Sequence, residues 1–268
     1  MQKTQGRKRI RGVVQTLIIV LLSAFCVVLE FLDVPYAKDE FQNRMINKIV
    51  QQSCSGVAAI LLMRCLDIKL FGKPEKLIYL LPCLLIAVNN FPFVAYFNGR
   101  MDFRRYSPLD FSLFFGYCMA VGVFEECLFR GVIFSCLAGC FSKDKQGFLK
   151  TYFLSALLFG LAHLFNGFSL GTLLQVLYTV LTGGLFAFCL IKTKNLLCPA
   201  FVHGLYNFCG LLLDTQGLGT GVVFDAGTVI CMAVIGVLVG VFVLYSVFTY
   251  SEQERRSLYQ CLGIKENV

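Results

Sequence analysis

Apolar residues in this chain gather into long stretches. Short polar segments between them hold most of the lysines and arginines. A stretch of about 20 mostly apolar residues is the length an α-helix needs to cross the hydrocarbon core of a bilayer. Eight stretches meet that criterion: 13–32, 45–66, 77–97, 109–140, 150–168, 170–191, 196–213 and 227–250. They predict an all-α, polytopic membrane protein of about eight transmembrane helices, with residues 1–268 as a single transmembrane domain. The second stretch is the weakest, because Asn47, Lys48, Gln51 and Gln52 occupy its first half. The fourth is longer than one span requires, which implies a tilt, a break near Gly131 or a re-entrant piece. The seventh is short for a span. A basic flank (RKRIR) precedes the first stretch, and no small-residue cleavage site follows, so it reads as an uncleaved span.

Composition agrees with that class. Hydrophobic residues make up 57% of the chain and charged residues 15%, with a net charge of +8. Ordinary globular domains carry about 25% charged residues. The positive charge sits in loops, so it reports orientation rather than nucleic-acid binding. Lysines and arginines concentrate at 3–11, 64–76, 143–150, 192–194 and 255–265, with fewer at Lys38, Arg44, Lys48, Arg100, Arg104 and Arg105. This bias predicts a multi-pass protein of the cell (plasma) membrane with both termini cytoplasmic. Thirteen cysteines lie scattered through the apolar runs without CxxC pairs, as small buried hydrophobes do. The Gly236/Gly240 pair reads as a helix-packing GxxxG.

Ionisable groups at bilayer depth are costly, usually face the bundle interior, and mark functional paths. Here they are Glu125, Glu126 and Arg130 in the fourth stretch, His163 in the fifth and His203 in the seventh. The chain has only these two histidines. Glu126 and Arg130 are four apart with the glutamate first, the favourable helical ion-pair geometry. That spacing suits a structural pair. Glu125, about 100° further round the helix, is left as a candidate acid/base. His163 follows Phe159 by one turn. A lone imidazole there has a bland alternative, a hydrogen bond to a nearby carbonyl. His203 and Asn207 share a helical face and form a donor pair able to hold an oxyanion, or simple interhelical glue. Counted along their helices, Glu125 lies about 24 Å, His163 about 20 Å and His203 about 10 Å deep. One cavity opening to the cytoplasm can hold all three.

Glu125-Glu126-Cys127-Leu128-Phe129-Arg130, then Phe159-Gly160-Leu161-Ala162-His163, then His203-Gly204-Leu205-Tyr206-Asn207 read E-E-x-x-x-R, F-x-x-x-H and H-x-x-x-N in order. This trio resembles the CPBP family, which covers type II CAAX prenyl endopeptidases and the bacteriocin-processing or Abi proteins, over residues 109–213. The resemblance implies an intramembrane endopeptidase acting on a peptide or lipidated protein. Glu125 would be the general base, activating water with His163. His203 and Asn207 would hold the oxyanion, and Glu126, Arg130 and Phe159 would support the site. It implies no required cofactor, while one Glu and two His (Glu125, His163, His203) also form a plausible zinc set.

Three other readings compete. A cysteine peptidase would use Cys127, Cys198 or Cys209, but with thirteen cysteines some fall near any histidine by chance. A proton-coupled transporter would use the same buried groups as a relay, but the chain lacks the internal symmetry expected of one. A non-catalytic bacteriocin-immunity or scaffold protein would keep the fold alone.

Overall fold

The computed structural model describes residue 28 and residues 33–99, 101, 103, 104, 106–212 and 226–264; the stretch 13–32 therefore lies almost wholly outside the described residues. Every regular element among the described residues is helical. They are α1 (Glu40–Cys65), a 3₁₀ turn (Leu77–Tyr79), α2 (Leu80–Asn89), α3 (Phe93–Phe97), α4 (Pro108–Glu126), a π-helical segment (Cys127–Ile133), α5 (Phe134–Cys140), α6 (Lys145–Ala162), a 3₁₀ turn (His163–Asn166), α7 (Leu170–Thr193), α8 (Leu197–Leu211), α9 (Ala226–Phe248) and α10 (Glu252–Cys261).

Three helices among the described residues are long and apolar enough to cross a membrane: Lys145–Asn166, Leu170–Thr193 and Val229–Phe248. The other expected spans take different forms. Helix α1 covers the second stretch but carries polar and charged groups along its length. The third stretch is broken between α2 and α3, where Pro92 cannot donate to a continuing helix. The fourth runs unbroken from 108 to 140 and changes pitch at the π segment, which contains Gly131. A Cβ on Gly131 would run into the Met63 sulfur of α1. The wide turn thus lies where α1 presses closest.

Sequence signals start these helices. Ser107 and Asp110 form a reciprocal capping box under Pro108 at the head of α4. Asp144 caps α6 and Ser169 caps α7. In α9 a stripe of Val239, Val243 and Val247 turns to the bundle, while Val237, Leu238 and Val241 face outward and are exposed. An apolar exposed face of this kind suits lipid. Nothing among the described residues lies within 4 Å of a Cβ placed on Gly236 or Gly240, so no described helix packs on the expected GxxxG.

Four of the basic segments meet at one end of the bundle. Glu75 N–H donates to the Thr193 carbonyl (2.8 Å), Lys69 N–H donates to the Cys261 carbonyl (2.8 Å), and the Lys143 ammonium lies 5.5 Å from the centre of the Tyr259 ring. At the opposite end Gln42 donates to Asp110 (2.9 Å). Helix α10 docks on the basic end through an ion pair between Lys76 and Glu254, and Ser251 and Glu254 form its capping box. Burial alone would raise the Glu254 carboxyl, but Lys76 and the Ser251 cap hold it down, at about 2. A depressed carboxylate stabilises above its unfolded value and loses that contribution as pH falls through the folded one. The docking of α10 is therefore expected to be constant from neutral pH to about 5 and to loosen from about 4.5 downward. Hydrogen exchange of residues 252–261, corrected for intrinsic rates, checks it. Loosening already at pH 6 would contradict the assignment.

Glycines let α4 and α8 cross closely. A Cβ on Gly122 of α4 would lie 2.5 Å from the Ala200 carbonyl oxygen and 2.7 Å from the Gly204 nitrogen of α8. A Cβ on Gly204 would meet the Met119 side chain. Glu126 lies one turn beyond Gly122, and His203 adjoins Gly204, so this crossing brings a carboxylate and an imidazole together. Gly122→Ala is expected to force α4 and α8 apart and to destabilise by about 1–3 kcal/mol. A thermal melt in detergent reads this, and an unchanged melting temperature would contradict it.

Candidate active site

The fourth stretch supplies the first part of the site. Glu126 ends α4 and Arg130 sits in the π segment, and both side chains are fully buried. Their ion pair forms at 3.2 Å (Arg130 Nε to Glu126 Oε2). A buried pair is tolerated when further partners satisfy it. Arg130 Nη2 donates to the Gly183 carbonyl of α7 (2.8 Å), and the guanidinium lies over the Phe159 ring, 4.2 Å from its centre. A π segment at a functional cluster is a recurrent pattern.

Helix α8 brings the second part. His203 is buried, with Nδ1 2.9 Å from Glu126 Oε1. A carboxylate oxygen accepts, so Nδ1–H donates to Glu126. The opposite nitrogen, Nε2, lies 3.8 Å from Glu125 Oε2. Glu125 lies about 100° round the helix from Glu126, yet in the fold both carboxylates converge on one imidazole, from opposite nitrogens. They differ in solvation: the Glu125 side chain keeps 24% of its surface exposed and Glu126 none.

His163 begins the 3₁₀ turn after α6 and is half-buried. Its Nδ1 is 3.0 Å from the Phe159 carbonyl oxygen, which only accepts, so here too Nδ1–H donates and Nε2 is the free nitrogen. No ion pair joins His163 to Glu125 among the described residues. Phe159 links the two histidines instead, with its ring centre 5.3 Å from His163 and 5.7 Å from His203, edge-on to each. Asn207 is half-buried, one turn beyond His203 on the same helix. Between them, the Tyr206 carbonyl accepts from Asn90 Nδ2 of the α2 end (2.9 Å), which ties that turn of α8 to α2.

Glu125, Glu126, Arg130, Phe159 and His203 thus form one connected cluster, with His163 attached through Phe159. Residues 107–209 match the Rce1-like type II CAAX prenyl endopeptidase family. The match starts at the Ser107 cap of α4 and ends two residues beyond Asn207, so it takes in all three motifs. The Rce1-like family is a protease family, and the match agrees with the type II CAAX endopeptidase branch of the resemblance read from the motifs. Together with the apolar helices the match points to a membrane protein. No curated protein and no solved structure matches the chain.

Among the described residues no three His, Cys, Asp or Glu side chains are grouped to hold an ion. Glu125, His163 and His203 as placed do not make a three-ligand site. No disulfide joins any of the twelve described cysteines to another.

The stretch 170–191 reads in sequence only as a span, whereas its helix α7 also builds the site. Gly183 gives its carbonyl to Arg130, and the Phe186 ring stacks on His203 with centroids 4.5 Å apart and planes 19° apart. The only sequence signal was Gly183-Gly184 inside an otherwise bulky span. A Cβ on Gly183 would lie 2.9 Å from Phe159, so glycine there lets α7 approach the site.

Proposed function

We propose that this protein is an intramembrane endopeptidase that hydrolyses a peptide bond of a membrane-associated protein or peptide, including prenylated ones. The observation that carries this reading is the pair of carboxylates meeting the two nitrogens of His203, one wholly buried and salt-bridged, the other partly open to solvent. Environments that separate two neighbouring carboxylates give them different tasks.

In this reading Glu125 takes a proton from water as the water oxygen bonds to the scissile carbonyl carbon. The carbonyl electron pair becomes an oxyanion. Asn207 Nδ2–H and, when Nε2 carries a proton, His203 donate to it. Glu125 then passes its proton to the amide nitrogen, the C–N bond breaks, and a carboxylic acid and an amine leave, the acid's proton passing to the amine. The free Nε2 of His163 orients the attacking water. Glu126, held by Arg130, fixes the His203 tautomer. The 3.8 Å gap between His203 and Glu125 is longer than a hydrogen bond; such contacts tighten when substrate closes the site. No step passes through a metal ion. The full arrangement proposed is a multi-pass protein of the cell membrane, with about eight spans, both termini in the cytoplasm and no required cofactor.

The test is cleavage of matched prenylated and unprenylated fluorogenic peptides by purified full-length protein in detergent, with and without chelator. Cleavage unaffected by chelator and lost in His163→Ala is the expected result. Loss with chelator and recovery with Zn²⁺ would recast Glu125 and the histidines as ligands. Wild-type protein that cleaves no peptide would overturn the reading in favour of a non-catalytic scaffold.

A further inference from the structure

We propose that Phe186 is a positioning residue, which sets the plane of the His203 imidazole so that Nε2 faces Glu125. This rests on the peptidase reading above and adds to it a residue outside the three motifs. The Glu126 hydrogen bond anchors His203 at one atom, Nδ1. The ring turns about its Cβ–Cγ bond, one hydrogen bond leaves that rotation some play, and turning swings Nε2 away from Glu125. Phe186 removes this freedom. It is 1% exposed, and its face lies nearly parallel to the imidazole. Phe159 closes the cluster with its edge, 5.7 Å from His203 and nearly perpendicular (83°). A flat support on one face and an edge from another direction leave the ring a single orientation.

Phe186 is itself fixed. Tyr206 of α8 lies edge-on to it at 6.2 Å, and the Arg130 guanidinium lies 5.5 Å from its centre. Gly183 and Phe186 are three residues apart on α7 and so share a helical face. One of them receives Arg130, the other supports His203. That face of α7 therefore orients both partners of Glu126 at once.

The chain has only two histidines, which makes the test direct. Full-length protein labelled with ¹⁵N-histidine in detergent gives two imidazole systems, and His163→Gln assigns them. In the wild type, the carbon-bound ring protons of His203 are expected upfield, under the Phe186 ring current. In Phe186→Met, which keeps bulk and removes the plane, the His203 signals should move or broaden while those of His163 stay. The kcat should fall about 10- to 100-fold, as for an active-site misplacement of about 1 Å, with KM nearly unchanged. Phe186→Tyr, which keeps the ring, should retain most of the activity. Wild-type His203 resonances and kcat in Phe186→Met would overturn the proposal. If that variant does not fold, an unshifted His203 in the wild type overturns it alone. A wild type without peptidase activity would refute the reaction, whereas the resonances would still decide what holds the ring.

Discussion

Glu125→Gln protein is expected to fold and melt as the wild type does and to cleave peptide about 10²–10⁴-fold more slowly, the range a positioned general base contributes. The substitution is isosteric. The Glu125 side chain is partly exposed, and His203 Nε2 is 3.8 Å away, so little stability rests on its charge. An amide has no basic oxygen able to take a proton from water at neutral pH, so the loss should fall on kcat while KM changes little. Steady-state kinetics on a cleaved peptide, beside a thermal melt, separate the two effects. Full activity in Glu125→Gln would remove Glu125 from the mechanism. A collapsed melting temperature would show instead that its charge is structural.

Arg130→Met should fail differently. Arg130 and Glu126 are both fully buried, and removing the cation leaves Glu126 with His203 as its remaining partner. Breaking one side of a buried ion pair typically costs 3–5 kcal/mol, so a large fall in melting temperature and yield is expected. Arg130→Lys should restore only part of this. An ammonium keeps the charge but cannot present a flat face to Phe159 while also reaching Glu126 and the Gly183 carbonyl. The double variant Arg130→Met/Glu126→Leu should regain stability, because apolar replacement of both partners is often neutral or better. It should stay inactive, because His203 Nδ1 then has no carboxylate to fix it. Recovery of activity in the double variant would show that the Glu126 contact is dispensable.

Local relations were legible before any fold was known. Glu126 and Arg130 are one helical turn apart, so their pairing needed only helix geometry. Ser251 and Glu254 carry a capping-box signature that announces α10 beyond the last apolar stretch. Pro92 likewise marks the break between α2 and α3. The pitch change at 127–133 had only Gly131 as a hint, because it depends on where Met63 of another helix presses. Phe186 had no signal of its own. It is one of 27 phenylalanines, and only its place opposite His203 distinguishes it.

By itself the sequence determined the membrane character, through the length of its apolar runs, and the identity of the polar groups placed within them. It determined as well the pairs that one helix brings together, since a 3.6-residue repeat fixes which neighbours share a face. The tertiary structure decided what lies between helices. The Gly122–Gly204 crossing lets α4 and α8 approach until Glu126 reaches His203 Nδ1, and the imidazole then spans the distance to Glu125. Helix α7 decided the orientation of that ring. These relations join residues from 17 positions apart (Phe186 and His203) to 82 apart (Gly122 and Gly204), and no periodicity along a chain encodes the distance between two of its helices.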